Sequence, residues 1–270
     1  MKDAEQIVAT PAFQNFVFMA EKGGVRKTSL AALLIAMGEA QGFPMEAFEI
    51  EGRAELGLLY PDKVKQVVMP ATETLHEDDN VEVRTLSPVF TSLLSPSDRL
   101  AIVDVGANLD GRLAMGMVHT GMAERLAGSG RATVFIIPFF AEAASIQSAA
   151  NSGRRAELAL PNAKILFCHC ENGGGAASDS VKSLHDWKNV IQPLIDRHGI
   201  MRMPRLTPSV LGALRASKTS PLRFIDMTEM ELARFSENDT FIAGANRNAM
   251  RLFVATMAKE FATHFGFRPA

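Results

Sequence analysis

The chain has 270 residues and a mass of 29.3 kDa, which is enough for one large domain with a full core. Its hydrophobic fraction of 47%, charged fraction of 21% and mean hydropathy of +0.06 exclude a disordered, collagen-like or coiled-coil protein. The formal net charge is −2, but residues 1–150 carry 12 basic and 19 acidic side chains, whereas residues 151–270 carry 16 and 11. The positive second half is compatible with a phosphate-rich partner and equally with scattered surface charge.

The sequence predicts a reducing cytoplasm as the cellular setting of this protein. Two cysteines one residue apart, Cys168 and Cys170, are too few and too close for a disulfide framework. Residues 1–14 carry both charge signs and contain no apolar stretch typical of a signal peptide. The most apolar runs, 30–37 and 132–144, are far shorter than the roughly 20 residues of a membrane-spanning helix.

The predicted elements alternate between strands and helices along the chain. Several strand-like runs are apolar without polar alternation, which is typical of strands buried on both faces. The pattern predicts a single α/β domain over residues 1–270, with a mostly parallel sheet and helices on both faces. Residues 60–79 are polar and irregular, and we expect a surface insertion there. The predicted strands are 16–19, 45–50, 81–86, 100–105, 132–139, 163–170 and 200–206, and the predicted helices are 29–40, 109–126, 141–160, 178–198 and 239–264.

A glycine-bearing loop, Glu-Lys-Gly-Gly-Val-Arg-Lys-Thr-Ser at 21–29, joins the first strand to the first helix. Backbone amides and the positive end of a helix dipole can hold phosphates at such a place, while a lysine reaches the β and γ phosphates and a hydroxyl binds magnesium. Lys27 and Thr28 occupy those positions. The usual phosphate-loop pattern is not met, because Glu21 and Arg26 stand where its two glycines would be. The alternative is a simple turn before an amphipathic helix.

Residues 22–28 resemble the deviant Walker A box of the ParA/MinD family of P-loop ATPases, Lys-Gly-Gly-x-Gly-Lys-[Ser/Thr], with Arg26 as the single departure. In that family the first lysine reaches across a nucleotide-sandwich dimer. The resemblance therefore implies that Lys22 contacts the phosphates of the partner subunit and Lys27 those of its own. The nucleotide-binding residues that it implies are Lys22, Gly23, Gly24, Val25, Arg26, Lys27, Thr28 and Ser29.

Two acidic segments continue the resemblance. Glu49 and Glu51 stand where the family places Asp-x-Asp, and the second acid would orient or activate the attacking water. The added methylene displaces that carboxylate, so slow hydrolysis is expected. Asp104 ends an apolar strand as a Walker B aspartate does, and would hold magnesium opposite Thr28. Strand-end surface acids and a capping aspartate are the respective alternatives. Lys22, Lys27 and Glu51 are the predicted catalytic residues, and Thr28 and Asp104 the predicted metal ligands.

Later stretches extend the resemblance over roughly residues 15–260. Pro138 and the Met203-Pro204 pair look like the family's strand-end prolines. The family often has an adenine-reading asparagine after the strand that ends here at Cys170, where this chain continues Glu171-Asn172. The sequence Cys168-His169-Cys170 supplies at most part of a tetrahedral metal site, so we interpret it as strand packing.

Residues 202–223 carry several basic side chains and no acidic one. This basic run predicts either a DNA-binding surface or a solvated positive face. In ParA-type proteins this region helps to bind DNA without sequence preference in the ATP-bound dimer, through phosphate contacts; a solvated positive face is the alternative. The run comprises Arg202, Arg205, Arg215, Lys218 and Arg223. The stripe from Met250 to Phe265 has helical spacing and is interpreted as core rather than as a membrane anchor.

The resemblance implies a slow ATPase, using ATP and Mg²⁺, that dimerises on ATP and acts in plasmid partition or maintenance. Nonspecific DNA and a protein that stimulates hydrolysis would be its partners, and the resemblance places the protein in the bacterial cytoplasm, with association with the nucleoid as a further possibility. The alternative is a nucleotide-binding scaffold with little or no turnover, accessory to conjugation or plasmid mobilisation.

Overall fold

A seven-stranded parallel sheet forms the centre of the molecule, with strand order β3-β2-β4-β1-β5-β6-β7. The structure is a computed structural model that describes residues 11–51, 54–71, 73, 78, 80–96, 98–171, 185–236 and 239–268. The strands are β1 Asn15–Phe18, β2 Met45–Ile50, β3 Val64–Val67, β4 Leu100–Val105, β5 Thr133–Phe139, β6 Lys164–Cys170 and β7 Ile200–Met203. The predicted α/β fold class is confirmed.

Helices cover both faces of the sheet. The described helices are α1 Lys27–Ala40, α2 Glu55–Leu59, α3 Val81–Leu94, α4 Asp110–His119, α5 Met122–Ser129, α6 Ala143–Ala159, α7 Gln192–His198, α8 Pro208–Ser217, α9 Pro221–Asp226, α10 Glu229–Ser236 and α11 Thr240–Phe265. A π-helical turn, Trp187–Ile191, leads into α7. No helix in the described part of the chain combines the length and apolar character needed to cross a membrane.

Alternation along the strands divides the core into two layers. In β1, Phe16 and Phe18 face a layer that contains α1, α8 and α11, whereas Val17 faces a layer with α3, α4, α5 and α6. The apolar stripe of α11 is buried in the first layer, and the Phe265 ring lies 5.3 Å from that of Phe16. The stripe is therefore core, as its spacing predicted.

The predicted strand at 81–86 is wrong, because these residues begin helix α3. The alternating β-branched residues at its start are only half-buried, whereas Leu86, Val89, Phe90 and Leu93 recur at helical spacing and are buried. The single helix predicted over 109–126 is two helices, since Gly121 adopts a left-handed φ of 63° between them. Residues 60–79 contain β3, which the sequence did not predict.

The sheet topology fixes where a ligand can sit. β1 lies between β4 and β5, so the chain runs to opposite sides of β1 in its two halves. In such sheets the crevice at the carboxyl ends of the strands, at the point of reversal, is the usual binding place. The loop after β1 and the residue Asp104 near the end of β4 both lie at that edge, with Asp104 in register with Phe18.

Candidate functional site

The loop between β1 and α1 is shaped by two left-handed residues. Gly24 has φ +75° and Arg26 has φ +74°, and Arg26 forms the N-cap of α1. The left-handed region favours glycine, and Arg26, which stands at a glycine position of the motif that this segment resembles, adopts it. Burial is the main cause that lowers the pKa of the half-buried Arg26. The loop thus keeps a turn at this position despite the arginine.

Lys27 is the buried cation of the loop. Its side chain is only 7% exposed, and Nζ donates to the carbonyl oxygens of Ala20 at 3.2 Å and Lys22 at 3.4 Å. Burial lowers the pKa of Lys27, while the charges of Asp104, then Glu51, oppose that shift. The ammonium group is therefore held inside the loop, near the carboxylates of Asp104 and Glu51.

Asp104 is the buried acid that faces the loop. Burial raises its pKa to about 7, against a hydrogen bond from Thr28 and the charge of Lys27, which lower it. Its Oδ1 is buried and has no hydrogen-bond partner among the described residues. Magnesium prefers oxygen ligands, and a buried carboxylate oxygen beside a hydroxyl is such a set. Thr28 and Asp104 therefore fit a magnesium ion.

The two glutamates of β2 have separate positions. Glu49 is 1% exposed and accepts hydrogen bonds from the backbone amides of Leu56 and Gly57, both at 2.9 Å, and from the side chain of Gln66. It therefore holds the start of α2, and the interpretation as a surface acid is wrong for Glu49. Its carboxylate is committed to this structural role.

Glu51 is half-buried and lines the loop cavity. Gly106 gives it room, because a Cβ at Gly106 would lie 2.8 Å from the Ile50 carbonyl oxygen and 3.1 Å from the Glu51 Cβ. Of the two glutamates, Glu51 is thus the one that lines the loop cavity.

A cavity of about 190 Å³ lies over the loop, and the five charged side chains in its wall are of mixed sign. Arg26 and Lys27 come from the loop and Arg215 from α8, while Glu51 and Glu55 are the acids. A second cavity of similar volume adjoins it through shared residues and is more apolar, with Leu58, Leu59, Leu211 and Leu214 in its walls. The full lining of the first cavity is Gly23, Gly24, Val25, Arg26, Lys27, Thr28, Ser29, Glu51, Glu55, Ala107 and Arg215.

Lys22 lies at the entrance of the loop, with its Nζ 3.1 Å from Glu142 Oε2. Both side chains are partly exposed, at 35% and 49%. Lys22 is not among the residues that line the cavity containing Lys27.

Helix α6 fixes the first residues of the loop, a role that sequence reasoning missed. The Lys22 amide donates to Ser148 Oγ at 2.8 Å, and the Glu21 amide donates to Ser152 Oγ at 3.1 Å. Ser152 in turn donates to Asp110 at 2.7 Å, and Arg155 bridges Asp110 and Glu21. Serines four residues apart on an alanine-rich helix are the sequence signal that could have indicated this contact.

The Cys-His-Cys segment divides between the two faces of β6. Cys168 and Cys170 are buried on the α1 face, whereas His169 packs between the rings of Phe139 and Trp187. The Cys170 Sγ donates to the Val25 carbonyl at 3.6 Å, so this thiol supports the loop. Among the described residues no cluster of three His, Cys, Asp or Glu side chains could hold a metal ion. Asn172, at the place of the adenine-reading residue, lies outside the described residues.

The basic run is exposed throughout. Arg215 differs from the other members in its position, because it lines the loop cavity and forms an ion pair with Glu55. The other members lie on β7 and on the segments around α8 and α9, namely Arg202, Arg205, Lys218 and Arg223.

Among known proteins, only comparisons with solved structures find proteins similar to this chain. No protein-family model matches the sequence, and no curated protein matches it. The chain is similar to the MinD cell division protein of Aquifex aeolicus, with 13% identity and a TM-score of 0.48 over 88% of this chain and 97% of that chain. For the MinC:MinD cell division protein complex of the same organism the values are 13%, 0.45, 88% and 96%. These values do not assign the chain to a family, so its function is argued from the site.

Proposed function

We propose that the protein is a P-loop ATPase of the ParA/MinD kind that binds ATP with Mg²⁺, forms a sandwich dimer on ATP and acts in plasmid partition or maintenance. The carrying observation is the arrangement at one sheet edge of buried Lys27, Thr28 and the orphaned carboxylate oxygen of Asp104. The domain would span residues 1–270, with its core at about 15–260. When bound, Mg²⁺ would neutralise phosphate charge, and Thr28 and Asp104 would hold it.

The catalytic part of the proposal gives each residue a separate task. Lys27 binds the phosphates within the subunit, supported by its burial in the loop, where its Nζ donates to the carbonyl oxygens of Ala20 and Lys22. Glu51 accepts a hydrogen bond or a proton from the attacking water, supported by its place in the cavity wall. Lys22, outside that wall, reaches the phosphates of a second copy of this chain. Loss of the terminal phosphate would then remove the contacts that hold the dimer.

Substitution of the two lysines tests this division. We expect Lys27→Ala to abolish binding of a fluorescent ATP analogue and also ATP-dependent dimers, because the buried cation is lost. We expect Lys22→Ala to retain nucleotide binding but remain monomeric. Fluorescence titration measures the first property, and size-exclusion chromatography with light scattering measures the second. A dimer that persists in Lys22→Ala would contradict the sandwich assignment.

A nucleotide-binding scaffold without useful turnover, accessory to conjugation or plasmid mobilisation, is the second candidate. Two observations favour it: the carboxylate of Glu49 is committed to α2, and Arg26 occupies the glycine position of the loop. Both candidates bind ATP, but only the first releases phosphate. Phosphate release that DNA and a partner protein stimulate supports the ATPase, whereas tight binding without release supports the scaffold.

Nonspecific duplex DNA is the proposed second ligand, in the cytoplasm and on the nucleoid. The exposed basic side chains around β7, α8 and α9 support this part of the proposal. Phosphate contacts make such binding fall steeply with salt, and the proposal requires it to depend on ATP. Retention on duplex DNA that ignores both salt and ATP would contradict it.

A further inference from the structure

Helix α8 brings an arginine from the last third of the chain into the loop cavity. Arg215 lines this cavity together with the loop residues 23–29. Its Nη2 lies 3.1 and 3.4 Å from the two carboxylate oxygens of Glu55, on α2. The side chains are 68% and 51% exposed. Exposed ion pairs of this kind contribute little to the free energy of folding. A more strongly bound anion can therefore replace the Glu55 carboxylate as the partner of Arg215.

The cavity around Arg215 contains one more cation than it has acids, which are Glu51 and Glu55, and this excess of positive charge favours an anion. Arg26, Lys27 and Arg215 all line one cavity of about 190 Å³. Burial has the largest effect on the pKa of Arg26 and lowers it, while the neighbouring Cys170 raises it. The positive charge of Arg215, the third cause in size, lowers this pKa further. Like charges in one small space repel each other, and an anion between them removes that repulsion. The loop amides at the start of α1 favour an anion at the same place.

We propose that Arg215 is a phosphate-binding residue of this cavity, and that Glu55 holds its guanidinium there until the phosphates of a nucleotide replace the carboxylate. The inference rests on the proposed function, which supplies a nucleoside triphosphate as the ligand. A guanidinium can bind a phosphate through two parallel N–H groups, whereas the Glu55 contacts run through the single Nη2 nitrogen. Phosphate is therefore the better partner for this side chain.

Three variants test the exchange by titration with a fluorescent ATP analogue and Mg²⁺. Arg215→Ala should weaken binding about tenfold, the size expected for a lost charge-assisted hydrogen bond. Glu55→Gln should tighten binding by roughly threefold, because the phosphates no longer compete with a carboxylate. In the double variant, Glu55→Gln should change the affinity of Arg215→Ala by less than about twofold, since its effect acts through Arg215.

Arg197→Ala is the matched control, because Arg197 forms an exposed pair with Glu157 at 3.0 Å with a similar exposed fraction, 64%. Its affinity should equal that of the wild type. Arg215→Lys keeps the positive charge but lacks the paired N–H groups of the guanidinium. Its affinity for the nucleotide should lie between those of the wild type and Arg215→Ala. Circular dichroism verifies that each variant is folded.

Two outcomes would overturn the assignment of Arg215 while leaving the proposed function intact. One is wild-type affinity in Arg215→Ala while Lys27→Ala loses binding. The other is weaker nucleotide binding in Glu55→Gln, which would mean that the ion pair serves to hold α2 and α8 together. If wild type and Lys27→Ala both fail to bind nucleotide, the proposed function and this inference fall together.

Discussion

Single residues decide how closely β2 and β4 can approach at the candidate site. Gly106 follows β4, and its amide donates to the Ile50 carbonyl oxygen at 2.8 Å. A side chain at Gly106 would contact backbone at 2.8 Å, where little can shift, and also Glu51. The glycine is needed here for close approach, because the backbone at this position is not left-handed. The position of Glu51 therefore depends on the absence of a Cβ atom at Gly106.

Gly106→Ala should lower the free energy of unfolding by about 1–3 kcal/mol, since the new methyl overpacks against the Ile50 carbonyl. Urea unfolding measures this change. Gly128→Ala is the matched control: Gly128 lies in α5, and a Cβ there would meet nothing within 4 Å. That variant should gain about 0.5–1 kcal/mol from helix propensity. Equal stability of the two variants would mean that β2 and β4 yield to the methyl group.

At the scale of elements, α2 depends on a buried acid rather than on its own sequence. It has five residues, too few for a stable isolated helix. Glu49 compensates by accepting the amide hydrogens of Leu56 and Gly57, groups that a helix leaves unpaired at its start. Because α2 carries Glu55, this hydrogen-bonded start also positions the partner of Arg215.

Glu49→Ala should destabilise the protein by about 2–3 kcal/mol, because it leaves one buried and one partly buried amide donor without an acceptor. Glu49→Gln should also lose stability, since its amide group would face one of those donors. Urea unfolding gives the free energies, and hydrogen exchange at Leu56 and Gly57 should become faster. Asp196→Asn, a change in an exposed carboxylate that accepts a hydrogen bond from Gln192, should stay within about 0.5 kcal/mol of wild type. Glu49→Gln as stable as wild type would show that these hydrogen bonds contribute little.

Elements with long apolar runs could be predicted from the sequence, and marginal ones could not. The buried strand β4 was predicted with its observed bounds, since six consecutive buried residues give a strong signal. α2 and β3 were missed because they are four or five residues long and held by tertiary contacts such as Glu49. α3 was mistaken for a strand because β-branched residues precede its helical pattern.

The candidate site shows the same division. The loop and Asp104 could be found in sequence because a strand, a loop and a helix follow one another directly. Arg215 was found only as part of a basic run, since its place in the cavity depends on how α8 crosses towards α2. No local pattern encodes a contact between residues 160 positions apart.

At the scale of the whole molecule, the cavity joins segments that are far apart in the chain. The loop after β1, the ends of β2 and β4, and α8 all contribute to its wall. A ligand bound there contacts both halves of the chain at once. Unfolding separates those segments, so the unfolded chain has no comparable site.

Mg²⁺ with ATP should therefore raise the melting temperature of the whole protein. At a nucleotide concentration of about 100 times Kd, binding to the folded state alone adds about 2.7 kcal/mol. For a chain of this size that corresponds to a rise of roughly 5–10 °C, measured by differential scanning calorimetry. Lys27→Ala should show no rise, because its loop has lost the buried cation that we propose as the phosphate-binding group. An equal rise in wild type and Lys27→Ala would place the nucleotide elsewhere on the molecule, away from the loop and from Arg215.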